Sequence, residues 1–161
     1  MTDHFELLSQ GYHLQKIALD SDLKELVLQE NWNGVDQFFL ALTAPGGQIF
    51  SLLQDFHAFS KIETMLSIRD AANDWEEDGI WHDDGSRVFA FSLSLTIAPQ
   101  ELEGGALELR CKNSTDSELI PTPEYGTAIL FLTGVHGYEH RTRQVKKGKR
   151  VILVGWCLAG S

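Results

Sequence analysis

Four consecutive residues, Trp81-His82-Asp83-Asp84, place an imidazole and two carboxylates in one short stretch. Along an extended chain successive side chains alternate faces, so His82 and Asp84 share a face and Asp83 points the other way. An imidazole and a carboxylate on one face make two-thirds of a divalent-metal site. A second imidazole from a distant strand completes a two-His-one-carboxylate set. Such a set occupies one face of an octahedral Fe(II) and leaves three positions open for small molecules. Downstream, His136 and His140 are both available for that role. Arg150 then opens the apolar run Val151-Ile152-Leu153-Val154. A guanidinium at the head of a buried strand needs an anionic partner.

In this order (His82-x-Asp84, a long gap, a distal His, then Arg150) the chain resembles the Fe(II)- and 2-oxoglutarate-dependent dioxygenases of the prolyl-hydroxylase-like branch. Three more segments carry the resemblance: the strand-like run from Arg87 to Leu95, Glu103-Gly104-Gly105-Ala106-Leu107, and Gly126-Thr127-Ala128-Ile129-Leu130-Phe131. It covers the chain from Ile62 to Leu158. The resemblance implies Fe(II) held by His82, Asp84 and His140, with Arg150 binding the far carboxylate of 2-oxoglutarate. His140 precedes Arg150 by ten residues, as the family pattern has it, whereas His136 precedes it by fourteen. The resemblance also implies dioxygen as the third reactant, with ascorbate as an optional reductant. It implies as products succinate and a hydroxylated C–H bond in a protein or peptide residue or a small molecule. Ser94 and Trp156 are lesser candidates for the cosubstrate wall; many relatives place Tyr or Thr there, and this chain has no obvious Tyr at such a position.

Two other functions compete. One is a jelly-roll module that binds metal and 2-oxoglutarate, or senses them, without turnover. The other is a nucleic-acid demethylase of the same superfamily. Those carry Arg-x-x-Asn-x-Thr-x-Arg on the last strand, and the segment from Arg150 to Cys157 lacks the Asn, the Thr and the second Arg.

The 161 residues suggest a single domain, 1–161, with a helical lead over 1–60 and a jelly-roll core over 61–161. The formal net charge of -10 and the pI near 4.9 argue against a broad phosphate-binding face. Arg141, Arg143, Lys146, Lys147 and Lys149 read as a solvated basic hairpin. Cys111 and Cys157 suggest neither a disulfide scaffold nor a zinc knuckle. The first residues lack the basic and apolar regions of a signal peptide, and no apolar run approaches a membrane span. A reducing, cytoplasmic setting is the default expectation. Oligomeric state is not legible.

In the lead, helical spacing is expected at Asp3–Ser9. Asp22-Leu23-Lys24-Glu25 has the shape of a capping box, with Leu23, Leu26 and Val27 on one face and Asn33-Gly34 as the stop. Val35, Phe38, Phe39 and Leu42, then Ile49, Leu52, Leu53 and Phe56, repeat the helical pattern as core residues. From Lys61 the period changes to two. Ile62, Thr64, Leu66 and Ile68 alternate with Glu63, Met65, Ser67 and Arg69. In the strand from Arg87 to Ile97, Phe89, Phe91, Leu93 and Leu95 share a face, while Ala90, Ser92 and Ser94 share the other. The expectation is mainly β: a double-stranded β-helix, a cupin-like barrel, with the helices outside and the small polar face turned to a cavity. The last two strands are expected to pair through the basic hairpin, bringing His140 near Arg150. Trp75 and Glu76-Glu77-Asp78 lie at a possible entrance or in a solvated turn.

Overall fold

A computed structural model of the chain describes residues 2–72 and 78–160. Trp75, Glu76 and Glu77 therefore lie outside the described residues. The element order is α1 (Thr2–Gln10), β1 (Tyr12–Lys16), α2 (Ser21–Leu28), α3 (Trp32–Thr43), α4 (Gln48–Gln54), β2 (Lys61–Asp70), β3 (Arg87–Ser94), β4 (Glu103–Gly104), β5 (Leu107–Cys111), β6 (Glu118–Ile120), β7 (Thr127–Leu132), β8 (Tyr138–Thr142), β9 (Val145–Lys147) and β10 (Lys149–Leu158).

A five-stranded sheet has the order β1-β7-β3-β10-β2. A three-stranded sheet, β6-β5-β8, and a two-stranded one, β4-β9, accompany it. All pairings are antiparallel. This is the mainly-β architecture of a double-stranded β-helix, but the sheets do not close into a barrel. The large face of β3 behaves as its pattern predicts. Phe89, Phe91 and Leu93 join Leu23, Val35, Phe39, Ile49 and Leu53 of the helices in one buried cluster. Ile62, Leu66 and Ile68 of β2 pack against that cluster. The opposite face of the large sheet gives Ala90, Ile129 and Phe131 to a second cluster with Leu107, Leu109 and Ile120 of the smaller sheet.

Local signals were displaced in three places. The α2 cap is Asp20, whose carboxylate accepts from the Asp22 N–H at 3.0 Å, so the helix starts ahead of the Asp22 capping box. It stops at Gln29–Glu30, where Glu30 takes a left-handed φ of 55°. Asn33-Gly34 lies inside α3, and Asn31 caps it by accepting from the Gly34 N–H. β1 interrupts the helical lead. Tyr12-His13-Leu14-Gln15-Lys16 shows no clear apolar alternation, and it becomes a strand by hydrogen bonding along the edge of β7.

Candidate metal centre

His82 and His140 come from separate parts of the chain and meet as an isolated antiparallel bridge. Asp84 does not reach them through strand alternation. It lies beyond the bridge with φ at 61°, a left-handed conformation that Asp tolerates better than most residues. That kink swings its carboxylate between the two imidazoles. His82 Nε2 is 3.6 Å from Asp84 Oδ1, and His140 Nε2 is 3.2 Å from Asp84 Oδ2. One ligand atom from each of the three residues lies within 4.8 Å of the others. No other such group of three or more occurs among the described residues.

Several features fit a divalent ion. His82 Nδ1 lies 3.0 Å from the Ile80 carbonyl, which can only accept, so Nδ1 carries a proton and Nε2 is the nitrogen turned to Asp84. Asp84 Oδ2 is buried and, among the described residues, has no hydrogen-bond donor within bonding geometry. Burial pushes the Asp84 carboxyl up, but His140, His82 and Trp156 outweigh it and hold it below the usual carboxylate range. Asp84 is therefore ionised at neutral pH. The ring of His140 is fixed against Phe131, with centroids 4.7 Å apart.

The rival residues go elsewhere. Asp83 Oδ2 pairs with Lys112 Nζ at 2.6 Å, and its Oδ1 accepts from the Gly85 N–H. The hydrogen bond from Lys112 holds its carboxyl below the usual carboxylate range. Asp83 is thus engaged by Lys112 and Gly85, and it is these contacts, not strand alternation, that turn it from His82 and His140. His136 Nε2 faces His57 Nε2 at 3.0 Å, away from the triad. His13 faces Glu6.

Arg150 is 3% exposed and lines one cavity together with His82, Asp84, His140 and Trp156. The route to this arrangement differs from the expected hairpin. β8 pairs with β5, while β10 pairs with β2 and β3, so His140 and Arg150 face each other from different sheets. Between them runs β9, paired with β4. Gly105 makes room for the guanidinium stem. It has φ at 78°, and a Cβ there would sit 3.1 Å from Arg150 Cδ and 3.1 Å from Val145 Cγ2. Burial, then the neighbouring Arg69, pushes the Arg150 guanidinium down to about 9. It remains charged at neutral pH, and its buried Nε has no hydrogen-bond acceptor among the described residues. A cavity holding a desolvated guanidinium with an unmatched Nε suits a carboxylate.

Of the lesser candidates, Trp156 lines the cavity and Ser94 does not; Ser92, two residues earlier on the same strand, takes that place. Ser67, Arg69 and Thr142 also line it, and the sequence reading missed them. The available signal was the polar face of β2, opposite Ile62, Leu66 and Ile68. The basic hairpin is also less solvated than expected. Arg141 and Arg143 both reach Glu108 Oε2, at 2.6 and 3.2 Å. Trp81 lies under the Arg110 and Arg141 guanidiniums, 3.8 and 4.4 Å from its ring centroid. From outside, a shallow depression lined by Trp81, His82, Asp84, Arg87 and Glu139 reaches two of the three residues, His82 and Asp84.

The family model described as the 2OG-Fe(II) oxygenase superfamily matches residues 69–158, which contain the triad and Arg150. The chain belongs to this superfamily. Solved structures agree on the fold of this oxygenase-family chain. A prolyl-4-hydroxylase from Pseudomonas putida is 18% identical, with TM-score 0.65 over 99% of this chain and 94% of that one. An oxidoreductase of the 2OG-Fe(II) oxygenase family from Burkholderia pseudomallei is 14% identical, with TM-score 0.65 over 96% and 87%. A prolyl hydroxylase from Trichoplax adhaerens, in complex with a hypoxia inducible factor oxygen degradation domain peptide fragment, is 13% identical, with TM-score 0.59 over 97% and 87%. No curated protein sequence matches the chain. Among the described residues, no helix is long and apolar enough to cross a membrane.

Proposed function

We propose that the chain is a 2-oxoglutarate-dependent Fe(II) dioxygenase that hydroxylates a C–H bond, with a protein or peptide residue favoured over a small molecule as substrate. One observation carries this reading: His82, Asp84 and His140 converge within 4.8 Å in a cavity that also holds the buried Arg150. Bound iron would supply the activation of dioxygen, coupled to decarboxylation of 2-oxoglutarate to succinate. The protein's part is geometry and exclusion. His82 and His140 would hold the ion through Nε2, and Asp84 through its ionised carboxylate. Arg150 would grip the distal carboxylate through two parallel N–H bonds. Leu107, Phe131 and Val154 line the cavity and keep bulk water from its interior.

Two features support a peptide substrate. The fold is shared with prolyl hydroxylases, one of them solved with a peptide. The shallow depression at His82 and Asp84 is open enough for a chain to lie across it. Leu7, Leu23, Val35 and Leu53, one from each helix, share a buried cluster with Phe89 and Phe91 of β3, which supports one domain across residues 1–161.

The test is succinate formation by Fe(II)-loaded protein, measured with a panel of peptides and metabolites and with the product analysed by mass spectrometry. Turnover should require both Fe(II) and 2-oxoglutarate. Normal turnover in the His82→Ala, Asp84→Ala double variant would rule the reading out. Binding of iron and 2-oxoglutarate without decarboxylation would instead identify a binding module.

A further inference from the structure

β2 gives the cavity a polar face that the His-x-Asp, His and Arg pattern leaves unused. In the β2–β10 register Arg69 lies directly opposite Arg150. Directly opposed residues of an antiparallel pair project from the same face. The two guanidiniums are 7% and 3% exposed, and both line the cavity that holds His82, Asp84 and His140. Two residues back on the same face, Ser67 is 1% exposed, and its hydroxyl has no hydrogen-bond partner among the described residues. A native interior seldom leaves a buried hydroxyl unmatched, and such a group in a cavity points to a ligand acceptor.

Arg69 differs from Arg150 in having a protein carboxylate already. Its Nη1 donates to Asp78, and both side chains are nearly buried. Asp78 lies on the segment that leads into His82. Two buried cations side by side increase each other's demand for negative charge. Asp78 pairs with Arg69 and its charge also favours the Arg150 cation, but the Arg150 Nε has no hydrogen-bond partner among the described residues.

We infer that Ser67 and Arg69 form, together with Arg150, the clamp for the distal carboxylate of the cosubstrate, and that Asp78 competes with that carboxylate for Arg69. The inference rests on the function proposed above and adds the second contact to the cosubstrate. A carboxylate offers about four lone-pair sites. Arg150 takes two of them in a fork, and a terminal N–H of Arg69 and the Ser67 O–H take the others. No Tyr is then needed on this wall. Because Asp78 draws on the same guanidinium, its removal strengthens ligand binding, whereas removal of Arg69 weakens it.

The experiment is calorimetric titration of 2-oxoglutarate into the full chain loaded with Mn(II), with Arg150→Gln as reference and thermal melts as folding controls. Arg69→Gln should raise Kd by about tenfold or more, the scale of a lost charged hydrogen bond. Ser67→Ala should raise it severalfold, and Asp78→Asn should lower it. The Arg69→Gln, Asp78→Asn double variant should follow the Arg69 single variant. If the Arg69 variant does not fold, the opposite signs expected for Ser67→Ala and Asp78→Asn still decide the matter. Equal weakening by Arg69→Gln and Asp78→Asn, with Ser67→Ala silent, would make the ion pair a structural brace and overturn the clamp. Wild-type affinity in the Arg69 and Ser67 variants, with binding lost in Arg150→Gln, would sink the clamp and leave the function standing. Failure of the wild-type protein to bind 2-oxoglutarate would sink both.

Discussion

His82 and His140 exchange both of their backbone hydrogen bonds. The His82 N–H donates to the His140 carbonyl at 2.9 Å, and the His140 N–H donates to the His82 carbonyl at 2.8 Å. Two imidazoles 58 positions apart in the chain are thereby held as neighbours, with ring centroids 4.2 Å apart. The third member, Asp84, is placed by its own backbone turn. The site is thus built from a two-bond bridge and a left-handed residue.

Asp84→Asn and Asp84→Ala should separate the ligand role from the backbone role. Both should lose Mn(II) affinity by more than tenfold in a calorimetric titration, because the ionised carboxylate is gone. Only the Ala variant should also lose stability, by about 1 kcal/mol, since Ala pays for a left-handed φ that Asn tolerates. Wild-type Mn(II) affinity in the Asn variant would remove Asp84 from the ligand set.

Gly105→Ala should injure the cosubstrate end and spare the metal end. The new Cβ meets Arg150 Cδ and Val145 Cγ2 at 3.1 Å, and the backbone is at a φ of 78°. We expect a stability loss of about 1–2 kcal/mol and a Kd for 2-oxoglutarate raised about tenfold, one such increment in free energy being 1.4 kcal/mol. Mn(II) affinity should not change. Equal losses for metal and 2-oxoglutarate would contradict this division.

Gly155→Ala should be severe although it adds one methyl group. Gly155 of β10 lies opposite Phe91 of β3, and a Cβ there would run into the fully buried Phe91 ring. Overpacking of this kind costs about 1–3 kcal/mol. Urea unfolding should show the loss, and Phe91→Leu in the same chain should recover part of it. Additive losses in the double variant would show that the two sites do not couple.

Glu108 should shape the acid limb of stability. Its carboxyl is held down from 4.5 to about 2, first by the hydrogen bond from Arg141; burial opposes this, and Ser117 and Arg143 assist. The unfolded chain therefore binds this proton at higher pH than the folded one. The stabilisation is fully present above pH 4.5 and is lost as pH falls through about 2. Urea midpoints measured across that window should fall less steeply for Glu108→Gln than for wild type. Parallel slopes would refute the assignment.

Much of this was legible in residues that obey a simple period. The two faces of β3 separate into Phe89, Phe91 and Leu93 on the helices and Ser92 on the cavity because period-two alternation and burial agree there. The family resemblance carried by His82, Asp84, His140 and Arg150 named residues that the structure brings into one cavity. What stayed hidden depends on partners remote in the chain. β1 is a strand because β7 offers it an edge, and β8 joins β5 in place of β10; neither choice is written in local sequence. Ser67 and Arg69 escaped notice because a polar strand face facing a cavity looks like one facing solvent. Asp84 arrived by a left-handed turn that a two-residue spacing does not announce.

The order of the large sheet has a consequence for how the chain is made. β2 pairs within that sheet only with β10, which leaves the ribosome some eighty residues later. Until then β2 waits without a neighbour, and loop closure over so long a span makes the final zippering a slow step. The same event brings Arg69 alongside Arg150. On the function proposed above, a nascent or partly unravelled chain would lack the paired arginines, and the cosubstrate could not be seated before the strands around it are complete.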